Sequence, residues 1–133
     1  DPTGKWRFTS PTHIVAAFSQ AIDELLAEGG IEARLARYEN NNRILRQKLQ
    51  AMGIQPYITA EKQSPIITTF LFPNESFNFS EFYHFVKEKG YVIYPGKLTD
   101  VDTFRIGNIG EIYEEDIHEL CNIIEQYMGV LTK

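Results

Sequence analysis

The 133-residue chain has one cysteine, one tryptophan and two methionines, and few histidines. The lone Cys121 excludes an internal disulfide framework and fits a reducing cytosol. No apolar run approaches the roughly eighteen residues that a membrane-spanning helix needs. Positive charge is in deficit: thirteen Lys and Arg against eighteen Asp and Glu leave a formal charge of −5. That balance argues against nucleic acid, because a phosphate-binding footprint needs an excess of Lys and Arg on one face. His13, His84 and His118 lie far apart, with no Cys-x-x-Cys or His-Glu-x-x-His spacing, so no metal site is expected. Gly-x-Ser-x-Gly, phosphate-loop and dinucleotide-binding motifs are absent as well. At 43% hydrophobic and 23% charged, what remains is the composition of a folded domain, neither disordered nor membrane-embedded. The first residue is Asp1 and nothing near it reads as a signal peptide, which suggests a piece of a longer protein.

Ser10 and Pro11 are expected to start a first helix, Ser10 capping the free amides and Pro11 taking the first helical position. Ile14, Phe18, Ile22 and Leu25 then fall at helical spacing, and Gly29-Gly30 ends the run. A second, more polar helix is predicted from about Ile31 to Met52. Its arginines Arg34, Arg37, Arg43 and Arg46 read as a solvated face. Four short runs rich in Ile, Val, Thr, Tyr and Phe then read as strands: Ile54–Thr59, Ile66–Phe72, Tyr91–Tyr94 and Thr103–Gly107. Ser80 is expected to cap a helix carrying Phe82, Phe85 and Val86 and ending at Gly90. Glu114, Glu115 and Asp116 open a final helix whose buried stripe includes Ile117, Leu120, Cys121, Ile124 and Met128.

The order of elements predicts an α+β fold: a small antiparallel or mixed sheet of about four strands with helices packed on one face. The strands 66–72 and 91–94 are apolar in both alternating sets, which predicts cover on both sides, one of them from outside this chain.

Arg105 stands out for chemistry. In Thr103-Phe104-Arg105-Ile106-Gly107 the alternation sends Phe104 and Ile106 to one face and Arg105 to the other. A guanidinium in mid-strand must be paired, and its fork suits a carboxylate or phosphonate. Spacing leaves two roles open, a structural salt bridge or a ligand site, and favours the salt bridge. Lys97 follows the Tyr94 run and reads as a mobile surface lysine. Gly107-Asn108-Ile109-Gly110 reads as a tight turn, and Cys121 as a buried inert thiol.

Four blocks carry a wider resemblance: Trp6-Arg7-Phe8-Thr9-Ser10-Pro11-Thr12-His13, Ser64-Pro65-Ile66-Ile67-Thr68, Tyr94-Pro95-Gly96-Lys97 and Phe104-Arg105-Ile106-Gly107-Asn108-Ile109-Gly110-Glu111. In order and over nearly the whole chain they resemble the C-terminal part of the 2-aminoethylphosphonate–pyruvate transaminases, which are class V, fold-type I aminotransferases. The resemblance implies a cytoplasmic homodimer that uses pyridoxal 5'-phosphate. The implied reaction is a ping-pong exchange of an amino group between 2-aminoethylphosphonate and pyruvate, giving phosphonoacetaldehyde and alanine. It implies that Arg105 binds the acidic group of the substrate and that Thr9 reaches the phosphate of the partner subunit's cofactor. The family's catalytic lysine lies upstream of the first block and no lysine here matches its context, so no catalytic residue is expected in this chain. Residues 1–30 would then be a connecting segment and helix from the large domain. Residues 31–133 would be the small C-terminal domain, inactive without the large one. Two rivals remain: another class V transaminase of the alanine–glyoxylate or serine–pyruvate type, and a freestanding small-molecule-binding regulatory domain.

Overall fold

Pro11 has no side-chain oxygen to accept from the first-turn amides, and it occupies the N-cap of the first helix, α1 (Thr12–Glu28), which has no side-chain cap. The expected Ser10 cap is therefore not made; the Ser10 carbonyl instead accepts from the Thr12 amide at 2.9 Å. At the far end Gly29 takes a φ of 110° and its amide closes on the carbonyls of Leu25 and Leu26. The chain passes straight into α2 (Gly30–Ala51), and an ion pair of 2.6 Å between Arg34 and Glu28 spans the junction. The computed structural model describes residues 3–96 and 101–131 and divides into two compact units, residues 1–35 and 36–133, with the boundary inside α2. In the first unit Ile14, Phe18 and Ile22 have the predicted spacing, yet each is between 39% and 70% exposed, and Leu25 is only half-buried.

The second unit holds the sheet. Its strands are β1 (Ile67–Leu71), β2 (Tyr94–Pro95) and β3 (Thr103–Gly107), all antiparallel in the order β1-β3-β2. Phe70 lies opposite Phe104 and Thr68 opposite Ile106, so all four point to one face, where they are buried. Against that face pack Leu45 and Leu49 of α2, Phe82 and Val86 of α3 (Phe79–Glu88), and Ile117, Cys121 and Ile124 of α4 (Glu114–Leu131). This is the α+β arrangement expected, with three strands among the described residues in place of about four.

Two strand expectations change. Segment 54–59 contributes a single bridge, Pro56 opposite Phe70, flanked by bonds from Tyr57 to the Thr69 carbonyl (2.8 Å) and from Leu71 to the Gln55 carbonyl (2.9 Å). Pro56 has no amide to extend the ladder, and the chain then turns through a 3-10 turn at Ala60–Lys62. In 91–94 only Tyr94 is extended into β2, because the Tyr91 amide closes the end of α3 on the Val86 carbonyl. The cap of α3 is also different: Asn78, not Ser80, accepts from the amides of Ser80 (3.0 Å) and Glu81 (3.3 Å). Asparagine is as good a cap as serine, and here it sits one residue before the helix starts. The acidic start of α4 is as expected, with Asp116 accepting from the Tyr113 amide at 2.8 Å.

The glycine-containing turn after β3 is held from α2. Arg37 donates to the carbonyls of Gly110 (2.9 Å) and Ile112 (2.7 Å), and the Tyr38 hydroxyl accepts from the Gly110 amide. Asn108 is fully buried; its amide donates to the carbonyls of Pro65 (2.8 Å) and Tyr38 (3.2 Å), while Asn42 donates to Thr68 at 2.9 Å. The arginines of α2 are therefore not one solvated face: Arg37 is a clamp, Arg46 is half-buried and Arg43 is exposed.

Candidate functional site

The sheet face turned away from the helices carries Ile67, Thr69, Arg105 and Tyr94. Antiparallel register sets Thr69 and Tyr94 directly across from Arg105, one on each neighbouring strand. Tyr57, whose amide bonds to the Thr69 carbonyl, extends this row by one more side chain. Tyr57 and Tyr94 are 48% and 62% exposed, so the row opens toward solvent in this chain. The cover predicted for both sides of β1 is present on one side only, where Thr68 and Phe70 are buried while Ile67 is exposed.

Arg105 is half-buried between them. Its Nε is shielded from solvent and has no hydrogen-bond partner, and among the described residues no carboxylate pairs with the guanidinium. Among the described residues, the structural salt bridge that spacing alone favours is not formed. An orphaned donor of this kind carries a desolvation cost that an incoming oxyanion would remove, and two parallel N–H···O bonds are the natural way to do so. Thr69 and the two tyrosines bring neutral hydroxyls, not charge, to this face of the sheet.

Thr9 lies in the first unit, exposed, in a bend two residues before the N-cap Pro11, and among the described residues its hydroxyl has no hydrogen-bond partner. Lys97 falls outside the described residues. Cys121 is fully buried on α4, and burial pushes its thiol up to about 11, with Lys48 pulling weakly the other way. A thiol held protonated at neutral pH is a poor nucleophile. His118 bonds to Glu114 at 3.2 Å one turn away, and among the described residues no three His, Cys, Asp or Glu gather as metal ligands would.

The sequence singles out Arg105 by alternation alone and leaves Tyr57 and Thr69 unremarked. The alternation of β1 does separate Thr69 from Phe70, but which residue on another strand it faces depends on register. Gly96 also matters to this face. Its amide donates to the Thr103 carbonyl at 2.8 Å, and a Cβ there would collide with the Thr103 hydroxyl.

No family model matches the chain. It is 63% identical over 127 residues to a 2-aminoethylphosphonate–pyruvate transaminase of Lysinibacillus sphaericus, a match covering 96% of this chain and 35% of that protein. It is 57% identical over 122 residues to a protein of the same name from Phocaeicola vulgatus, covering 92% of this chain and 34% of that one. A bifunctional phosphonoacetaldehyde hydrolase/aminoethylphosphonate transaminase of Clostridioides difficile is 53% identical over 127 residues, covering 95% of this chain and 20% of that protein. The chain thus spans about a third or less of the length of these curated relatives. Among solved structures, a pyridoxamine–pyruvate aminotransferase from Mesorhizobium loti superposes with a TM-score of 0.84 at 20% identity, over 97% of this chain and 33% of that one. An aspartate aminotransferase from Thermus thermophilus gives a TM-score of 0.80 at 19% identity, over 95% of this chain and 35% of that one. At such identities the two structures establish the shared fold.

Proposed function

Because the chain belongs to the 2-aminoethylphosphonate–pyruvate transaminase family, we propose that it serves as the small C-terminal domain of an enzyme exchanging an amino group between 2-aminoethylphosphonate and pyruvate. The observation that carries this reading is the buried, partnerless Nε of Arg105 on the open face of the sheet. Both substrates bear an anionic group, a phosphonate or a carboxylate, that a guanidinium fork can grip with two hydrogen bonds. Arg105 binds and orients that group, and the neutral hydroxyls of Thr69, Tyr94 and Tyr57 line its approach without neutralising it.

Pyridoxal 5'-phosphate, when bound, supplies the electron sink on which amino-group exchange depends. The residues of this chain fit a supporting part: Thr9 has an exposed, unengaged hydroxyl close to a helix start, a sensible donor to a phosphate. The reading has Thr9 reaching the cofactor of the partner subunit in a cytoplasmic homodimer. It also has the catalytic lysine on the large domain, so that residues 31–133 act only together with it.

Arg105→Ala in the intact enzyme is expected to lower kcat/KM for 2-aminoethylphosphonate by about 100-fold or more, because a desolvated charged pair is lost. Far-ultraviolet circular dichroism should change little, since among the described residues the side chain has no ion-pair partner. Unchanged turnover would remove Arg105 from the site. Turnover of alanine with glyoxylate, but not of 2-aminoethylphosphonate, by the intact wild-type enzyme would overturn the choice of substrate.

A further inference from the structure

The polar half of α2 borders a cavity of about 190 Å³ lined by Glu39, Asn42, Arg43 and Arg46, and closed by Gln63 from the segment before β1. Two buried atoms of these residues lack partners: Arg46 Nε, a donor, and Gln63 Oε1, an acceptor. The Gln63 amide cannot turn to relieve this. Its nitrogen already donates to the carbonyls of Ser64 (2.8 Å) and Ile67 (2.6 Å), and a flipped amide would set oxygen against both. Arg43 bonds to Asn40 (2.7 Å) and Gln47 (3.0 Å), both neutral, and its charge acts on Glu114 without forming an ion pair among the described residues. Among the described residues Arg46 has no ion pair either. Glu39, exposed, is the one acid in the wall.

The cavity could hold several water molecules at about 30 Å³ each, or one solute of similar size. A plain anion would satisfy the arginines but leave Gln63 Oε1 bare and meet the Glu39 carboxylate. A plain amine would satisfy Gln63 and Glu39 and be repelled by two guanidinium groups. We propose that this cavity binds a small zwitterion of the amino-acid or aminoalkylphosphonate class, its anionic group on Arg46 and Arg43 and its ammonium on Gln63 Oε1 and Glu39. The site does not use Arg105, and it rests on the proposed transamination only for the choice of probe, since both amino compounds of that reaction are such zwitterions.

The test is thermal unfolding of the intact holoenzyme carrying Arg105→Ala, with L-alanine, propionate or ethylamine at matched concentrations. L-Alanine should raise Tm saturably, and propionate and ethylamine should not. Adding Arg46→Gln should abolish the rise or weaken alanine binding at least about tenfold, the effect of losing a charged hydrogen bond. Arg43→Gln, at an exposed position that the fold tolerates, should weaken it in the same direction. A rise that survives both substitutions, that propionate reproduces, or that is absent from the Arg105→Ala enzyme would overturn the site. Activity measured on Arg105→Ala reports separately on the proposed function, because it depends on Arg105 and not on the cavity.

Discussion

Two side chains, the half-buried Tyr91 and the buried Cys121, tie stability to alkaline pH. The Tyr91 hydroxyl lies 3.1 Å from Glu119 and 3.3 Å from the Asp116 carbonyl. Burial first, then the Glu119 hydrogen bond and charge, push it from 10.0 to about 12. Cys121 rises from 9.0 to about 11, chiefly through burial. Both groups keep their protons in the folded state at a pH where the unfolded chain has lost them. Their contribution is therefore complete below the unfolded values and is lost as pH rises through the folded ones. Urea midpoints of the intact protein should fall from about pH 9 to about pH 12. Tyr91→Phe should flatten the upper part of that fall, and Cys121→Ala the lower part. A Tyr91→Phe profile parallel to wild type above pH 10 would show that the hydroxyl is not the group responsible. The burial of Cys121 was legible from its place on an apolar stripe. The raised Tyr91 was not, because Glu119 and Asp116 meet it only when α4 packs beside the end of α3.

At the scale of elements, the shortest strand depends on the tightest approach. Gly96 follows β2 and abuts Thr103, whose carbonyl oxygen would lie 2.5 Å from an added Cβ. The obstacle is backbone as well as side chain, so repacking cannot clear it. Gly96→Ala should push β2 off β3, cost about 1–3 kcal/mol as overpacking does, and carry Tyr94 away from Arg105. Steady-state kinetics of the intact enzyme should show a raised KM for the phosphonate along with a lower Tm. Thr103→Ala on top of Gly96→Ala should recover only part, since the carbonyl remains. A KM equal to wild type would mean that β2 does not help to shape the substrate face. The long helices and the strands around Phe70 and Phe104 were legible because their apolar spacing is local and repeated. The segments at 54–59 and 91–94 were not. Their β-branched and aromatic residues satisfy strand propensity, but Pro56 and the closing bond of α3 decide how far pairing extends. Arg105 was legible as a mid-strand charge. The hydroxyl row around it was not, because register is a long-range property. For the same reason Arg37, whose carbonyl partners lie more than 70 residues away, read as solvated.

At the scale of the second unit's core, one ring holds the layers together. Phe104 lies within 6.3 Å, centroid to centroid, of Phe70, Phe72, Phe77, Phe79 and Phe82, which come from β1, the loop after it and α3. Tyr127 of α4 closes on Phe77 and Phe82 in turn. The cluster thus joins sheet to helices through aromatic contacts that flat aliphatic packing would not reproduce. Phe104 precedes Arg105 and points to the opposite face of the sheet, into the core. Phe104→Ala should cost about 3–5 kcal/mol, a large share of the roughly 5–15 kcal/mol that stabilises a typical domain. Phe104→Leu keeps most of the volume and should cost clearly less, with the remaining deficit coming from lost ring contacts. In chemical denaturation of the intact protein the two variants should therefore separate widely. In kinetics both should lose activity only as far as the folded fraction falls, because neither removes the guanidinium. If Phe104→Leu unfolded normally yet lost activity as severely as Arg105→Ala, the ring would be aligning the arginine rather than only supporting the core. If Phe104→Ala cost less than about 1 kcal/mol, the aromatic cluster would not be what binds the sheet to its helices.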